Sequence, residues 1–408
     1  MSPRLILALC LSTGLSSFSA YAQNASTSGP FGPVAYVYVV SLPANAGATE
    51  IRGYTAAADG SLTEMNGSPF QENESAIAVN GSYLFGVNRA ATNIDSYSME
   101  SNGELRYASS TNWAQNNPNG CGTPAWLFTD RTNRDLYDME IDGDCANNGY
   151  QSYGVMQGSG ELNYQGFANG GAGSFMGVYL PATFVGNNRF AYEATNNSCM
   201  YFGVSTFQRA GNGLLKETNS AWAAPAPPAG YRIYIPTFAA GDPFDHVAMT
   251  LWAANPPGCS TASQQIASFT ADEQGNLTTT NTSANMPSTQ VTNVLDLKVS
   301  PSGLLLAVAG QGGLQVFHFN GANPATTFTP LLTTDTISQM FWDNDNHLYA
   351  ISQMSGVLHV FSITPTSFAE APGSPYSIEQ PGYIAVQPRT LAISGPRIIP
   401  RLVHSLLR

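Results

Sequence analysis

The amino-acid sequence predicts an all-β protein built from one repeated unit, and three observations support this. Short segments such as 347–352 and 356–363 alternate apolar and polar residues, the period of two that half-buried strands show. Such segments recur in groups of four at a spacing of about 50 residues. Five groups carry Gly-x-Leu at the same place. Together these features predict a seven-bladed β-propeller with four antiparallel strands per blade.

The blades are predicted from their strands in order. The first three contain 34–40, 48–55 and 62–70; then 75–79, 83–88, 93–99 and 104–109; then 125–128, 135–140, 150–156 and 161–167. The last four contain 176–184, 190–195, 200–207 and 214–218; then 231–238, 247–253, 265–270 and 277–280; then 294–299, 304–309 and 314–319; then 337–342, 347–352, 356–363 and 368–376. The first blade lacks one strand, and a last strand at 383–387 is expected to complete it, which closes the ring and removes exposed sheet edges.

Turn residues support the same register. The Gly-x-Leu turns begin at Gly60, Gly103, Gly160, Gly213 and Gly275, where glycine supplies the turn and leucine opens the outer strand. The acids Asp242, Asp245, Asp343 and Asp345 fall between first and second strands, where aspartate is an ordinary turn former. Two β-sandwich domains are the alternative, but they leave segment 383–387 without a place.

The N-terminus resembles a signal peptide over residues 1–22. Arg4 supplies a positive start, 5–15 an apolar run, and Ala20-Tyr21-Ala22 a small-x-small cleavage site. The apolar run is too short to span a bilayer, and no later segment is long and apolar enough to do so. The expected location is therefore the periplasm or the exterior.

Composition limits the possible partners. A net charge of −12 without a basic cluster in the body of the chain disfavours nucleic acid, because phosphate contacts need lysine and arginine. Hydrophobic residues make up 43% of the chain, enough for a core in a propeller spanning 34–393. Residues 23–33 are expected to be a flexible lead-in and 394–408 a short basic tail. We expect a monomer.

Four cysteines lie beyond the N-terminal segment: Cys121, Cys145, Cys199 and Cys259. An even number in an oxidising compartment predicts two disulfides, for which three pairings exist. The strand register places all four on the rim where inner strands begin. We predict Cys121–Cys145 within the third blade and Cys199–Cys259 between neighbours. These bridges either stiffen a binding rim or simply hold long loops.

An acidic stretch holds Asp138, Glu140, Asp142 and Asp144, a spacing that resembles the start of a calcium loop. No glutamate closes such a loop twelve positions on, so we expect a solvated loop and no cofactor, with calcium as the alternative. Strand alternation puts Asp138 and Glu140 on one face.

Several segments resemble those of a known group of propellers. They are 83–88 and 301–308, the Gly-x-Leu turns, and the Gly-Ser-Pro-aromatic segments 67–70 and 373–376. The group is the lactonase-like seven-bladed propellers, which includes 6-phosphogluconolactonases and YVTN-type repeats, and the resemblance covers essentially the whole mature chain. The enzymes carry Pro-His-x-His and Pro-Arg-His groups at strand starts. Here only Arg232 matches, since 177–181 and the rest of 231–236 differ.

Position on the predicted ligand face selects the candidate site residues Arg89, Glu140, Asp142, Glu193 and Arg232. In a lactonase, Arg232 would bind the substrate carboxylate or polarise the ring carbonyl, and Glu193 would act as base toward water. The leading prediction is nevertheless a binding module for a small molecule, a carbohydrate or a protein partner at the channel mouth. A hydrolase of sugar lactones is the alternative.

Overall fold

The computed structural model describes residues 32–43, 47–70, 73–116, 123–141, 149–169, 181–196, 202–256, 260–261 and 264–389. All strands of the described residues lie between Ala35 and Pro388. The described strands form seven sheets with four strands on the main path of each, all paired antiparallel. This is the seven-bladed propeller that the repeat predicts. Within the described residues, no helix has the length and apolar character needed to cross a bilayer.

The strands follow the chain blade by blade. Blades one to three contain β1 (Ala35–Ser41), β2 (Glu50–Ala56) and β3 (Leu62–Glu64); β4 (Glu74–Val79), β5 (Tyr83–Asn88), β6 (Asn93–Met99) and β7 (Leu105–Asn112), followed by a 3-10 turn at Ala114–Asn116; and β8 (Thr123–Thr129), β9 (Asp135–Ile141), β10 (Gly149–Val155) and β11 (Leu162–Asn169). Blades four and five contain β12 (Thr183–Phe184), β13 (Phe190–Asn196), β14 (Phe202–Arg209) and β15 (Leu215–Thr218); and β16 (Ile233–Gly241), β17 (His246–Asn255), β18 (Ser260–Thr261), β19 (Gln265–Ala271) and β20 (Leu277–Thr278). Blades six and seven contain β21 (Asn293–Val299), β22 (Leu305–Gln311), β23 (Gly313–Asn320) and β24 (Asn323–Thr327); and β25 (Gln339–Trp342), β26 (His347–Ser352), β27 (Val357–Thr364), β28 (Ser367–Glu370) and β29 (Tyr376–Ser377), after which comes β30 (Pro381–Pro388).

The last strand closes the ring, as predicted. β30 pairs antiparallel with β1, with Ile384 opposite Val39 and Val386 opposite Val37. These side chains are fully or almost fully buried, and they share one core cluster with Tyr349 of blade seven. The two ends of the polypeptide therefore build a single blade, which excludes two separate sandwiches.

The outer strands differ from their predicted bounds. Blade six has an outer strand, β24, that the sequence pattern did not reveal, since its alternation of apolar and polar residues is weak. The predicted strand 62–70 ends at Glu64, because Gly67 takes a left-handed φ of +82°. The segment 368–376 is split in the same way by Gly373, whose φ is also +82°. Both Gly-Ser-Pro segments contain a cis Ser–Pro bond, so the repeated sequence folds into a repeated shape.

Glycine turns join most blades to the preceding blade. The five Gly-x-Leu glycines all have left-handed φ, from +72° at Gly160 to +93° at Gly213. A Cβ at Gly103 would lie 2.6 Å from the Tyr36 ring, and one at Gly160 would lie 2.6 Å from the Tyr83 ring. Only glycine fits both the backbone conformation and the close approach. Each of these turns therefore lies against the preceding blade.

Tyrosines of the preceding blade hydrogen-bond the carbonyl oxygens of three of these glycines. The hydroxyl of Tyr38 donates to Gly103 O at 2.7 Å, that of Tyr137 to Gly213 O at 2.8 Å, and that of Tyr192 to Gly275 O at 3.2 Å. Each bond contributes about 0.5–1.5 kcal/mol and fixes the rotation of one blade on the next.

At two joints the glycine approaches a histidine of the preceding blade. Gly60 lies against His347 of blade seven, and Gly321, which no Gly-x-Leu marks, lies against His246 of blade five. The turn acids orient both rings, since Asp343 Oδ2 lies 2.7 Å from His347 Nδ1 and Asp242 Oδ2 lies 2.8 Å from His246 Nδ1. Asp242 and Asp343 also accept backbone N–H groups, which confirms that they are turn formers.

Replacing Gly103 by alanine is expected to lower the free energy of unfolding by roughly 2–4 kcal/mol, from left-handed backbone strain and overpacking against Tyr36 and Met65. Gly81→Ala is the matched control, because Gly81 also has a left-handed φ of +99° but no atom within 4 Å of an added Cβ. It should lose only about 1–2 kcal/mol. Urea unfolding of both variants measures the difference, and equal losses would contradict the docking role of Gly103.

Candidate functional site

The inner strands of four blades enclose a cavity of about 230 Å³ on the propeller axis. β8, β12, β16 and β21 supply its walls, and Trp126, Phe128, Phe184 and Phe238 contribute aromatic lining. Few charged groups enter it. Apolar walls with a few converging polar groups are typical of sites for small organic ligands.

Arg131 lies at the end of this cavity where the inner strands finish. Its guanidinium donates to the carbonyl oxygens of Phe184 and Gly241, each at 2.9 Å, and to that of Asp242. Burial lowers the pKa of Arg131, and the nearby Asp242 opposes that shift. Through these bonds from Nε and Nη2, Arg131 ties blade three to blades four and five.

Lys298 is the other cation of the cavity wall. Its Nζ lies 3.3 Å from Asp296 Oδ1. The second Asp296 oxygen accepts the backbone N–H of Met340 at 2.8 Å, which links blade six to blade seven. The carboxylate is fixed by these contacts, whereas the lysine side chain keeps 34% of its surface exposed.

Tyr383, Trp126 and Arg89 meet on the face where inner strands begin, and we call this group the channel mouth. The Tyr383 hydroxyl donates to Ala125 O at 2.7 Å, and its ring makes an edge contact with Trp126 at 5.6 Å between centroids. The exposed Arg89 reaches Pro124 O at 3.5 Å, and its charge opposes the rise in the pKa of Tyr383 that burial causes. Trp126 also lines the cavity, whose described lining includes neither Tyr383 nor Arg89, so Trp126 is the residue that the mouth and the cavity share.

The predicted site residue Glu140 lies in β9, with Asp138 on the same strand face as predicted. Both are almost fully buried, at 1% and 0% exposed, so the expectation of a solvated loop is wrong for this pair. Glu140 contacts Gln151, and the Tyr153 hydroxyl lies 3.3 Å from Asp138. Burial raises the pKa of Glu140 to about 7, and burial together with the Glu140 charge raises the pKa of Asp138. Gln151 also donates to Trp113 O of blade two at 3.3 Å, and Tyr153 shares a core cluster with Phe85, so the pair lies between blades two and three.

Glu193 lies in β13 between blades three and four, and only 2% of it is exposed. Burial raises its pKa to about 8, a hydrogen bond with Tyr150 works against that rise, and the charge of Glu217 adds to it. Its Oε2 has no hydrogen-bond partner among the described residues.

Arg232 stands at the start of the inner strand of blade five. Its side chain is exposed, and only its backbone N–H is bonded, to Ala254 O at 3.1 Å. Within the part of the chain that the structure describes, no hydrogen bond or ion pair joins Arg232 to Glu193. The two residues named for a lactonase reaction therefore stay separate, one exposed and one enclosed.

The remaining predicted site residues fall outside the described ranges. These are Asp142 and the four cysteines, Cys121, Cys145, Cys199 and Cys259. Among the described residues, no group of three or more His, Cys, Asp or Glu side chains is arranged to hold a metal ion.

Sequence reasoning missed Trp126, Tyr383 and Lys298. Aromatic residues on inner strands look like core residues in a sequence, and only the closed ring turns them toward the axis. The one usable signal was the position of Trp126 and Tyr383 at the start of predicted inner strands.

Comparison with known proteins supports the fold. No protein-family model and no curated protein matches the sequence. Among solved structures, a proposed 6-phosphogluconolactonase from Bacteroides uniformis is similar with a TM-score of 0.62 and 14% identity, covering 86% of this chain and 99% of that one. The periplasmic gluconolactonase of Pseudomonas aeruginosa gives a TM-score of 0.61 and 15% identity, covering 86% and 98%. This chain thus has the fold of lactonase-type propellers.

The buried Glu193 should make stability depend on pH. The pKa of Glu193 is 4.5 in the unfolded chain and about 8 in the folded protein. Between these two pH values, the unfolded chain has released a proton that the folded protein still holds. The stabilisation is therefore full below about pH 4.5 and is lost as the pH rises to about 8. Glu193→Gln removes this pH-dependent contribution to stability. The melting temperature of the variant should therefore fall less between pH 5 and 8 than that of the wild type. Glu161→Gln, at an exposed turn, is the control, and parallel profiles for Glu193→Gln and wild type would contradict the assignment.

Proposed function

We propose that this protein is an exported binding propeller that takes a small carbohydrate-type ligand at the channel mouth. The observation that supports this most is the Tyr383–Trp126 pair beside the exposed Arg89, since Trp126 also lines the axial cavity. Aromatic rings cover apolar ring faces of a sugar, the Tyr383 hydroxyl oxygen can accept from a sugar hydroxyl, and the guanidinium donates to sugar oxygens. Arg89 favours sugars that carry a carboxylate.

Export is supported by the signal-like segment 1–22 and by the likeness to a periplasmic neighbour. An exported propeller meets sugars and envelope components rather than nucleic acid, which agrees with its net charge of −12. A protein partner at the same mouth is the competing occupant, and a small-molecule screen separates the two.

A thermal-shift screen of neutral sugars and sugar acids should find ligands that raise the melting temperature, because binding to the folded state stabilises it. Arg89→Gln should weaken binding of a sugar acid roughly tenfold through loss of a charged hydrogen bond. The control is Arg106→Gln, since Arg106 has 77% of its side chain exposed on an outer strand. Binding left unchanged by Arg89→Gln, or no ligand in the whole screen, would overturn the proposal.

Lactone hydrolysis is the second candidate, and the raised pKa of Glu193 favours it, because a base with a pKa of about 8 suits proton transfer near neutral pH. The separation of Glu193 from Arg232 weighs against it. We expect purified protein to hydrolyse gluconolactone no faster than buffer. A rate above buffer that falls at least tenfold in both Glu193→Gln and Arg232→Gln would instead establish the enzyme.

A further inference from the structure

Blade four contains a second cavity, away from the propeller axis, of about 230 Å³. It is lined by parts of β13, β14 and β15 that include Thr195, Gly203, Ser205 and Glu217. None of these strands is an inner strand, so this cavity is distinct from the channel. We call it the blade-four pocket.

Strand pairing shows on which face of the blade the pocket lies. Ser205 is opposite Glu193 in the β13–β14 ladder, and Gly203 is opposite Thr195, so the four residues share a face. The neighbours Phe202 and Val204 point to the other face, where they pack against cores shared with blade five. Thr195, Gly203 and Ser205 therefore line the pocket from the Glu193 face, and Phe202, Val204 and Thr218 also contribute to its lining.

Gly203 leaves room in this pocket. A Cβ built on it would have no atom of the described residues within 4 Å. Its φ lies outside the left-handed region, so the backbone does not require glycine there.

The polar groups of the pocket favour a cation with hydroxyl groups. Glu217 stands at its exposed edge, and the hydroxyls of Thr195 and Ser205 lie 3.5 Å apart within hydrogen-bonding range of each other. Behind Ser205, the enclosed Glu193 keeps an oxygen without a partner among the described residues. None of the described lining residues is basic, so among them an anion would find no donor of opposite charge.

We infer that the blade-four pocket binds a small hydroxylated primary ammonium ion. Its ammonium group would donate to the Glu217 carboxylate, and its hydroxyl groups would bond Thr195 and Ser205. A volume below the roughly 300–1,000 Å³ of sites for drug-sized ligands limits the ligand to a few carbon atoms.

The test compares serinol (2-amino-1,3-propanediol), which is charged near neutral pH, with glycerol, which has a hydroxyl in place of the ammonium group. Saturation-transfer NMR and calorimetry on the full-length protein should detect serinol in the millimolar range, with glycerol at least tenfold weaker. Glu217→Gln should weaken serinol roughly tenfold. Gly203→Leu should abolish binding by filling the space.

Two controls make the result specific. Glu273→Gln removes the same charge from an exposed turn of blade five and should leave serinol binding unchanged. Arg89→Gln should also leave it unchanged, which separates this pocket from the channel mouth. No binding of serinol, equal binding of glycerol, or equal binding by Glu217→Gln and the wild type would each overturn the inference.

Discussion

The ring depends on the contact between a glycine turn of one blade and the second strand of the blade before it. A propeller blade has no partner on its two faces except its neighbours, so the angle between blades must be set by such contacts. Six glycines, at 60, 103, 160, 213, 275 and 321, approach tyrosine, histidine, phenylalanine or aspartate side chains of the preceding blade. Any side chain at these places would push the blades apart. The cavity and the mouth exist because this spacing is held.

Most of this arrangement was predictable from sequence. Alternation gave the strands, and the spacing of Gly-x-Leu gave the register, because backbone conformation and close approach both demand glycine there. Gly321 was not identified from the sequence, because it is not followed by the leucine of the Gly-x-Leu pattern. The weakly patterned β24 shows where alternation is insufficient, since an outer strand buries few side chains.

The sites were much less predictable. Asp138 and Glu140 look like a solvated acidic loop in sequence, yet the fold buries both between blades, and burial then raises their pKa values. Trp126 and Tyr383 lie about 250 residues apart in the chain, and only the closed ring brings them together. Glu193 was chosen by position, and its enclosure beside Tyr150 depends on the packing of blade three on blade four. Long-range packing of this kind leaves no local pattern.

The pairing of β30 with β1 has a consequence for biogenesis. During synthesis, one edge of β1 has no partner until the polypeptide has grown to Pro388, because its neighbour is made last. An unpaired strand edge invites association with other chains. The nascent polypeptide therefore cannot close the ring before β30 has been made.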